Sequence, residues 1–208
     1  MQIHTIQVSD FDQNSRILYK DLECIVVDPG GDIPKIDKFL KSENLIPKAV
    51  LLTHSHLDHA GGVADFLEKY KVPLYGHPAE NWMRGNITTI ATMYGLNPNQ
   101  YKTCPEPDTL ITGGETIEFI GEKFKVLFTP GHSPGHVCFY NAQNNILIAG
   151  DTLFQASIGR TDLPGGDSNI LLQSIKEKIL VLPGETKVLS GHGPDTTIKR
   201  EIESNPYL

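Results

Sequence analysis

The sequence has few cysteines and no paired cysteine motif. Its 208 residues include three, Cys24, Cys104 and Cys138, which lie far apart along the chain. An odd number of isolated thiols excludes a complete disulfide framework and a Cys-x-x-Cys zinc site, and it is typical of a reducing compartment. Cys138 lies in the apolar run 136–140, so we expect it to be a buried thiol in a strand.

The chain also lacks an excess of positive charge and any long apolar segment. Its formal net charge is −7. Nucleic acids and anionic membranes attract basic surfaces, so the charge argues against both as partners. No apolar run approaches the roughly 20 residues of a membrane span, and residues 1–15 lack the basic and apolar regions of a secretion signal. We therefore predict a cytoplasmic protein that acts on a small molecule, with a homo-oligomer left open.

The hydrophobic pattern alternates between strand-like and helix-like segments, with turn residues between them. The predicted strands are 2–8, 16–19, 22–27, 49–53, 72–75, two around Gly121-Glu122, 136–140, 146–149 and 187–190, and the main predicted helices are 33–40, 60–70, 87–94 and 170–180. We find no repeat, low-complexity segment or linker. The pattern predicts one α/β layered domain over residues 1–208, with two sheets and outer helices.

Residues of metal-ligating type follow four of the predicted strands. The segment 53–62, THSHLDHAGG, contains three histidines and an aspartate, and His132, Asp151 and His192 each follow a glycine after a later strand. Three imidazoles in one turn would repel one another when protonated and would lack partners when buried. A bound cation removes both problems, so the sequence predicts a metal site.

This pattern closely resembles the metallo-β-lactamase superfamily, and the resemblance covers nearly the whole chain. It implies a four-layer αββα sandwich, with two mixed sheets flanked by helices and a two-metal site at one edge. On that pattern the first metal would be held by His54, His56 and His132, and the second by Asp58, His59 and His192, with Asp151 bridging the two.

The resemblance also implies the chemistry of the site. Nitrogen and oxygen ligands without a thiolate suit two divalent ions, with Zn²⁺ favoured and Fe or Mn as the alternatives. Two such ions would lower the pKa of a bridging water and give a hydroxide nucleophile at neutral pH. Asp58 would accept a hydrogen bond from that hydroxide and orient it, which makes Asp58 the predicted catalytic carboxylate.

Within the superfamily the chain resembles the short, single-domain relatives of glyoxalase II, the hydroxyacylglutathione hydrolases. The segments 11–15, 150–167 and 205–208 carry this likeness. Arg160 has the basic position of the glutathione-binding loop, whereas Asp162 stands where tyrosine is expected. The chain ends soon after His192, so we expect no helical C-terminal glutathione-binding domain.

From these features we predict a metal-dependent thioester hydrolase. Its expected substrate is S-lactoylglutathione or a related acyl thioester. Arg160 is a candidate substrate contact, and an ion pair with Asp162 or Asp167 is the other role considered for it. Residues 78–109, which include the single tryptophan Trp82, are expected to lie over one side of the cleft and to influence substrate choice.

Two other classes stay open. Persulfide dioxygenases share the HxHxDH turn and a loop like residues 159–162, but they use one iron and oxygen. A non-catalytic metal-binding module is disfavoured because all seven ligand positions carry a histidine or an aspartate. The best-known zinc β-lactamases have a cysteine where Asp151 stands and usually a secretion signal, and nucleases of the superfamily have a large insertion and a basic surface, so we do not favour either class.

Overall fold

The computed structural model describes residues 1–208, and its strands alternate with helices as the periodicity predicts. The chain forms two compact units, residues 1–110 and 111–208, each built on one six-stranded mixed sheet. No helix in either unit combines the length and the apolar character that a membrane crossing needs. That residues 1–208 act as one domain stays a prediction.

The sheet of the first unit has its strands in chain order. They are β1 (Gln2–Val8), β2 (Gln13–Lys20), β3 (Glu23–Val27), β4 (Ile46–Leu51), β5 (Leu74–Gly76) and β6 (Thr109–Leu110). The first three strands pair antiparallel, and the last four pair in parallel. Parallel neighbours end at the same edge, and the Asp28 amide donates to the carbonyl of Leu51 at 3.0 Å. The turns after β3 and β4 are therefore neighbours.

The first unit has five helices, and all but the fourth place apolar side chains in one hydrophobic core with the sheet. They are α1 (Ile33–Ser42), α2 (Leu57–Ala60), α3 (Val63–Tyr70), α4 (Asn81–Gly85) and α5 (Ile87–Met93), with short 3₁₀ turns at Pro78–Glu80 and Pro98–Gln100. The predicted helix 60–70 is wrong at its start, because α2 and α3 are separate. The break between the two helices includes Gly62, where a Cβ atom would lie 2.5 Å from the carbonyl oxygen of Pro29.

The sheet of the second unit has the order β14-β13-β10-β9-β8-β7. Its strands are β7 (Thr116–Phe119), β8 (Glu122–Phe128), β9 (Val137–Asn141), β10 (Ile146–Gly150), β13 (Lys187–Ser190) and β14 (Thr196–Thr197). Strands β10 and β13 are parallel, and β9 lies antiparallel between β8 and β10. Strands β8, β10 and β13 thus run in the same direction, and the loops that carry His132, Asp151 and His192 leave the sheet at one edge.

The remaining elements of the second unit are a small hairpin and two helical segments. The hairpin consists of β11 (Leu153–Phe154) and β12 (Ser157–Ile158), α6 (Ser168–Ser174) continues as a π-helix (Ile175–Ile179), and α7 (Ile198–Ser204) follows β14. The predicted helix 170–180 corresponds to α6 and the π-helix. The hairpin and α7 were not predicted. Leu171, Ile175 and Ile198 pack in the hydrophobic core of this unit.

Candidate metal centre

The turn after β4 brings four of the predicted ligands together. His54 Nε2 lies 3.1 Å from His56 Nδ1, and the ring centroids of His54 and His59 are 4.1 Å apart. Asp58, in the first turn of α2, has Oδ2 3.8 Å from His59 Nε2. Metal–nitrogen bonds of about 2.0–2.1 Å place two ligand atoms on one ion about 3 Å apart, so the spacing of His54 and His56 fits a shared ion.

A buried carboxylate from the neighbouring turn, Asp28, orients this group of imidazoles. Its Oδ1 accepts from the Thr53 amide at 2.8 Å, and its Oδ2 accepts from the Thr53 hydroxyl at 2.6 Å. Oδ2 also lies 2.9 Å from His59 Nδ1. Since the Thr53 hydroxyl donates to Asp28, its 3.1 Å contact with His54 Nδ1 uses the imidazole N–H as the donor. Both rings therefore carry their proton on Nδ1, and Nε2 holds the lone pair.

A second support for the turn comes from residues 77–85. The Ser55 amide donates to the buried carboxylate of Glu80 at 2.8 Å. The fully buried guanidinium of Arg84 donates to the carbonyl of His77 at 2.9 Å and to the Ser55 hydroxyl at 3.4 Å. All of this segment except His77 lies within residues 78–109, which we expected over the cleft. The first part of 78–109 thus supports the turn that carries the predicted metal ligands, and Trp82 is 57% exposed.

The second unit contributes an aspartate between two histidines. Asp151 Oδ2 lies 3.6 Å from His132 Nε2 and 3.6 Å from His192 Nε2. The Arg160 carbonyl accepts from His132 Nδ1 at 2.8 Å, which fixes the lone pair of that ring on Nε2. One carboxylate oxygen at the same distance from two imidazole nitrogens is the arrangement expected of a bridging ligand.

His136 supports the backbone of Asp151 and is not one of the predicted metal ligands. It is fully buried, and its Nε2 accepts from the Asp151 amide at 3.1 Å. Its proton is therefore on Nδ1, which lies 3.0 Å from the Thr129 hydroxyl and 3.1 Å from the Thr152 hydroxyl. This ring fixes the backbone at the start of the Asp151 loop. Cys138, expected to be a buried strand thiol, is fully buried in β9.

Arg160 forms the ion pair with Asp162 that the sequence offered as one of its roles. Its Nε and Nη2 donate to the two carboxylate oxygens, each at 2.7 Å, and both side chains are more than half exposed. These hydrogen bonds from Arg160 lower the pKa of Asp162 to about 2. The role of the Arg160 guanidinium as a substrate contact stays a prediction, whereas its backbone carbonyl already orients His132.

The donor set fits divalent metal ions. The seven predicted ligands all belong to groups of histidine and aspartate side chains that could hold an ion. His54, His59 and His132 each have Nδ1 bound to a protein acceptor, which is the usual way in which a metal-ligating imidazole is oriented. The all-nitrogen-and-oxygen set is compatible with zinc, iron and manganese alike.

Two mixed sheets flanked by helices, together with this histidine and aspartate set, define the class of proteins with the metallo-β-lactamase fold. Residues 9–192 match the model of the metallo-beta-lactamase superfamily, and the chain belongs to that superfamily. The hydroxyacylglutathione hydrolase GloC of Haemophilus influenzae is 35% identical, and the alignment covers 100% of this chain and 98% of GloC.

Two solved structures are similar over the whole chain. BLEG-1, a B3 metallo-beta-lactamase, is 40% identical with a TM-score of 0.92, and the match covers 100% of this chain and 99% of BLEG-1. TTHA1623 in a di-iron-bound form is 36% identical with a TM-score of 0.90, over 99% of this chain and 100% of that one. These similarities confirm the predicted metallo-β-lactamase fold.

Proposed function

We propose that this protein is a binuclear metal-dependent thioester hydrolase that acts on S-lactoylglutathione or a related acyl thioester. The observation that carries the proposal is the position of Asp151 Oδ2, 3.6 Å from the Nε2 atoms of both His132 and His192. A shared carboxylate of this kind suits a pair of ions. The similarity to GloC, a hydroxyacylglutathione hydrolase, supports the thioester as substrate.

In this proposal the site holds two ions, and zinc is the proposed metal. The di-iron form of TTHA1623 supports iron as the alternative. One ion would be held by His54, His56 and His132, the other by Asp58, His59 and His192, with Asp151 shared. When bound, such ions provide a water nucleophile at neutral pH and polarise the carbonyl under attack.

The protein's own groups prepare the site for this reaction. Asp28 and the Arg160 carbonyl keep the protons of His59 and His132 on Nδ1, so that these rings offer neutral Nε2 atoms. Asp58, whose side chain is 18% exposed, would accept a hydrogen bond from the attacking water. A thiolate leaving group has a pKa near 8.5, so departure needs little help from a general acid.

Hydrolysis of β-lactams is the second candidate, because the chain is 40% identical to BLEG-1. A β-lactam releases an amine nitrogen, which must be protonated as it leaves, whereas a thiolate leaves unprotonated. The two substrate classes therefore make different demands on the same site.

A cytoplasmic location remains a prediction from composition.

The test compares three substrates on one preparation. Protein reconstituted with Zn²⁺ or Fe²⁺ is analysed for metal content, and hydrolysis of S-lactoylglutathione is followed by thiol release. The same sample is assayed with a chromogenic β-lactam and, in an oxygen electrode, with glutathione persulfide. We expect about two metals per chain and thioester turnover, both lost in Asp151→Asn.

Other results would count against the proposal. One metal per chain that does not increase on reconstitution, together with oxygen uptake on the persulfide, would favour a mono-iron dioxygenase. Faster turnover of the β-lactam than of any thioester would favour the second candidate. Metal binding without any turnover would favour a binding module.

A further inference from the structure

Helix α7 contacts the tip of the hairpin β11–β12 through buried polar side chains. Glu201 is fully buried, and its Oε2 accepts from the amide of Ala156 at 2.8 Å. Asn205, at the end of α7, donates from Nδ2 to the carbonyl of Ser157 at 3.0 Å and to Glu201 Oε2 at 2.8 Å. Two consecutive residues of the tip are thus held by two side chains of one helical segment.

The conformation of the tip shows why it needs to be held. Ala156 has a φ of 57°, a left-handed conformation that residues with a side chain rarely adopt. The neighbouring Gln155 accepts from the Arg200 guanidinium at 2.6 Å when its amide oxygen faces α7. The hydroxyl of Thr196 donates to the other oxygen of Glu201. Burial of a carboxylate is unfavourable unless donors surround it, and here they include the tip of the hairpin.

The hairpin is linked to two of the predicted metal ligands, to Asp151 along the chain and to His132 through contacts. Asp151 is separated from β11 by Thr152 alone, and Gly159 and Arg160 directly follow β12. A Cβ atom on Gly159 would lie 1.9 Å from the carbonyl oxygen of Asp151 and 3.2 Å from Cβ of His132. The next carbonyl, that of Arg160, accepts from His132 Nδ1 at 2.8 Å. A displacement of the hairpin therefore moves the support of His132 and presses on the backbone of Asp151.

We propose that Glu201 and Asn205 are positioning residues for the metal site. They hold the hairpin tip, and the hairpin in turn fixes Asp151 and the ring of His132. The inference rests on the proposed function, since it assigns these residues to the support of the proposed metal ligands. It also gives a role to Asn205, which belongs to the segment 205–208 that resembles the glyoxalase II relatives but contributes no predicted ligand.

The test compares Glu201→Ala with a conservative variant and a matched control. Glu201→Gln keeps an oxygen for the Ala156 and Asn205 donors and offers an amide to the Thr196 hydroxyl. Glu203→Ala removes an exposed carboxylate from the same helix. Zinc affinity is measured by competition with a chromophoric chelator, and hydrogen exchange at residues 155–160 is measured on the metal-free protein. The melting temperature of each variant is measured in the zinc-bound and in the metal-free form.

We expect Glu201→Ala to bind zinc about tenfold more weakly, as removal of a group that orients a metal ligand does. Exchange at residues 155–160 should accelerate in the metal-free protein. Glu201→Gln should retain most of the affinity, and Glu203→Ala should match the wild type. If Glu201→Ala does not fold, Asn205→Ala serves in its place, because it removes one tip contact and leaves the carboxylate.

A merely structural role predicts a different pattern. A lower melting temperature with wild-type zinc affinity per folded molecule would overturn the assignment of Glu201 and leave the proposed function intact. Unchanged exchange at the tip in Glu201→Ala would overturn it as well. A wild-type protein that binds no zinc or iron would instead overturn the proposed function, and the positioning role with it.

Discussion

Asp28 and His59 form a buried pair in which Oδ2 of the carboxylate lies 2.9 Å from Nδ1 of the ring. The two residues come from different strand ends, β3 and the turn after β4. The same carboxylate also accepts hydrogen bonds from the amide and the hydroxyl of Thr53, so that one side chain fixes the backbone and a ring of the turn that carries the predicted ligands. Asp28 is therefore expected to matter for metal binding although it is not a ligand.

Asp28→Asn tests this directly. An amide has one acceptor atom where the carboxylate has two, so either His59 Nδ1 or the Thr53 amide loses its acceptor. We expect metal affinity to fall by about 10–100-fold, the usual effect of removing such a partner. Chelator competition measures the affinity, and Asp21→Asn, on the exposed turn between β2 and β3, is the control. Wild-type metal affinity in the Asp28 variant would contradict the role of Asp28 in orienting His59 and the turn.

Asp58→Asn should reduce catalysis more than stability. The change removes a charge and an acceptor for the attacking water, while the volume of the side chain is nearly unchanged. We expect the rate to fall about 10²-fold or more, as for other groups that position the reacting centre. Thioesterase rate, bound metal and melting temperature are measured on one sample. A variant that melts far lower but keeps its turnover per folded molecule would remove Asp58 from the catalytic assignment.

Arg160→Ala distinguishes a substrate contact from an ion pair. The guanidinium is engaged by Asp162, whose pKa of about 2 keeps that carboxylate ionised throughout an assay near neutral pH. A substrate carboxylate must therefore compete with Asp162. We expect KM for S-lactoylglutathione to rise by about fivefold or less with little change in kcat, because contacts of exposed charges are weak.

The control for this variant is Lys176→Ala, which removes one exposed positive charge from the same unit. Steady-state kinetics on both variants provide the comparison. If KM is the same in Arg160→Ala and in the wild type, the guanidinium serves the ion pair alone.

The buried thiols Cys24 and Cys104 should resist alkylation. Burial raises the pKa of each to about 12, so both remain protonated at pH 8 and only the thiolate reacts quickly. The raised pKa belongs to the folded state, which keeps the two thiols neutral. Their contribution to the free energy of unfolding is therefore full below about pH 9 and is lost as the pH rises towards 12. Mass spectrometry after iodoacetamide treatment, with and without denaturant, compares the alkylation of these thiols in the folded and the unfolded protein. Rapid modification of either thiol in the native protein would contradict it.

The predicted ligands were accessible from the sequence because their chemistry is local. His54, His56 and His59 lie in one turn, and Asp151 and His192 each follow a glycine at the end of an apolar strand. The supports could not be found in this way, because long-range hydrogen bonds leave no period in a sequence. Asp28 has the pattern of a turn residue, and it meets Thr53 only because β3 and β4 are parallel neighbours.

The same limit explains the elements that were missed. The hairpin strands β11 and β12 have two residues each, too short for an alternating pattern. Glu201 is a charged residue in a short polar helix, where a solvent-facing position is the ordinary expectation, yet it is fully buried. Thr197, whose hydroxyl accepts from the Arg200 amide, was the one local signal that a helix begins there.

The contact between α7 and the hairpin has a consequence for protein synthesis. All seven predicted ligands have been translated once His192 is added, but Glu201 and Asn205 come later, and Leu208 packs against the core of the second unit. A nascent chain therefore possesses every ligand before it can hold Asp151 and His132 in place. Premature termination after Gly193 would yield a protein that is complete in predicted donors but loose in their arrangement.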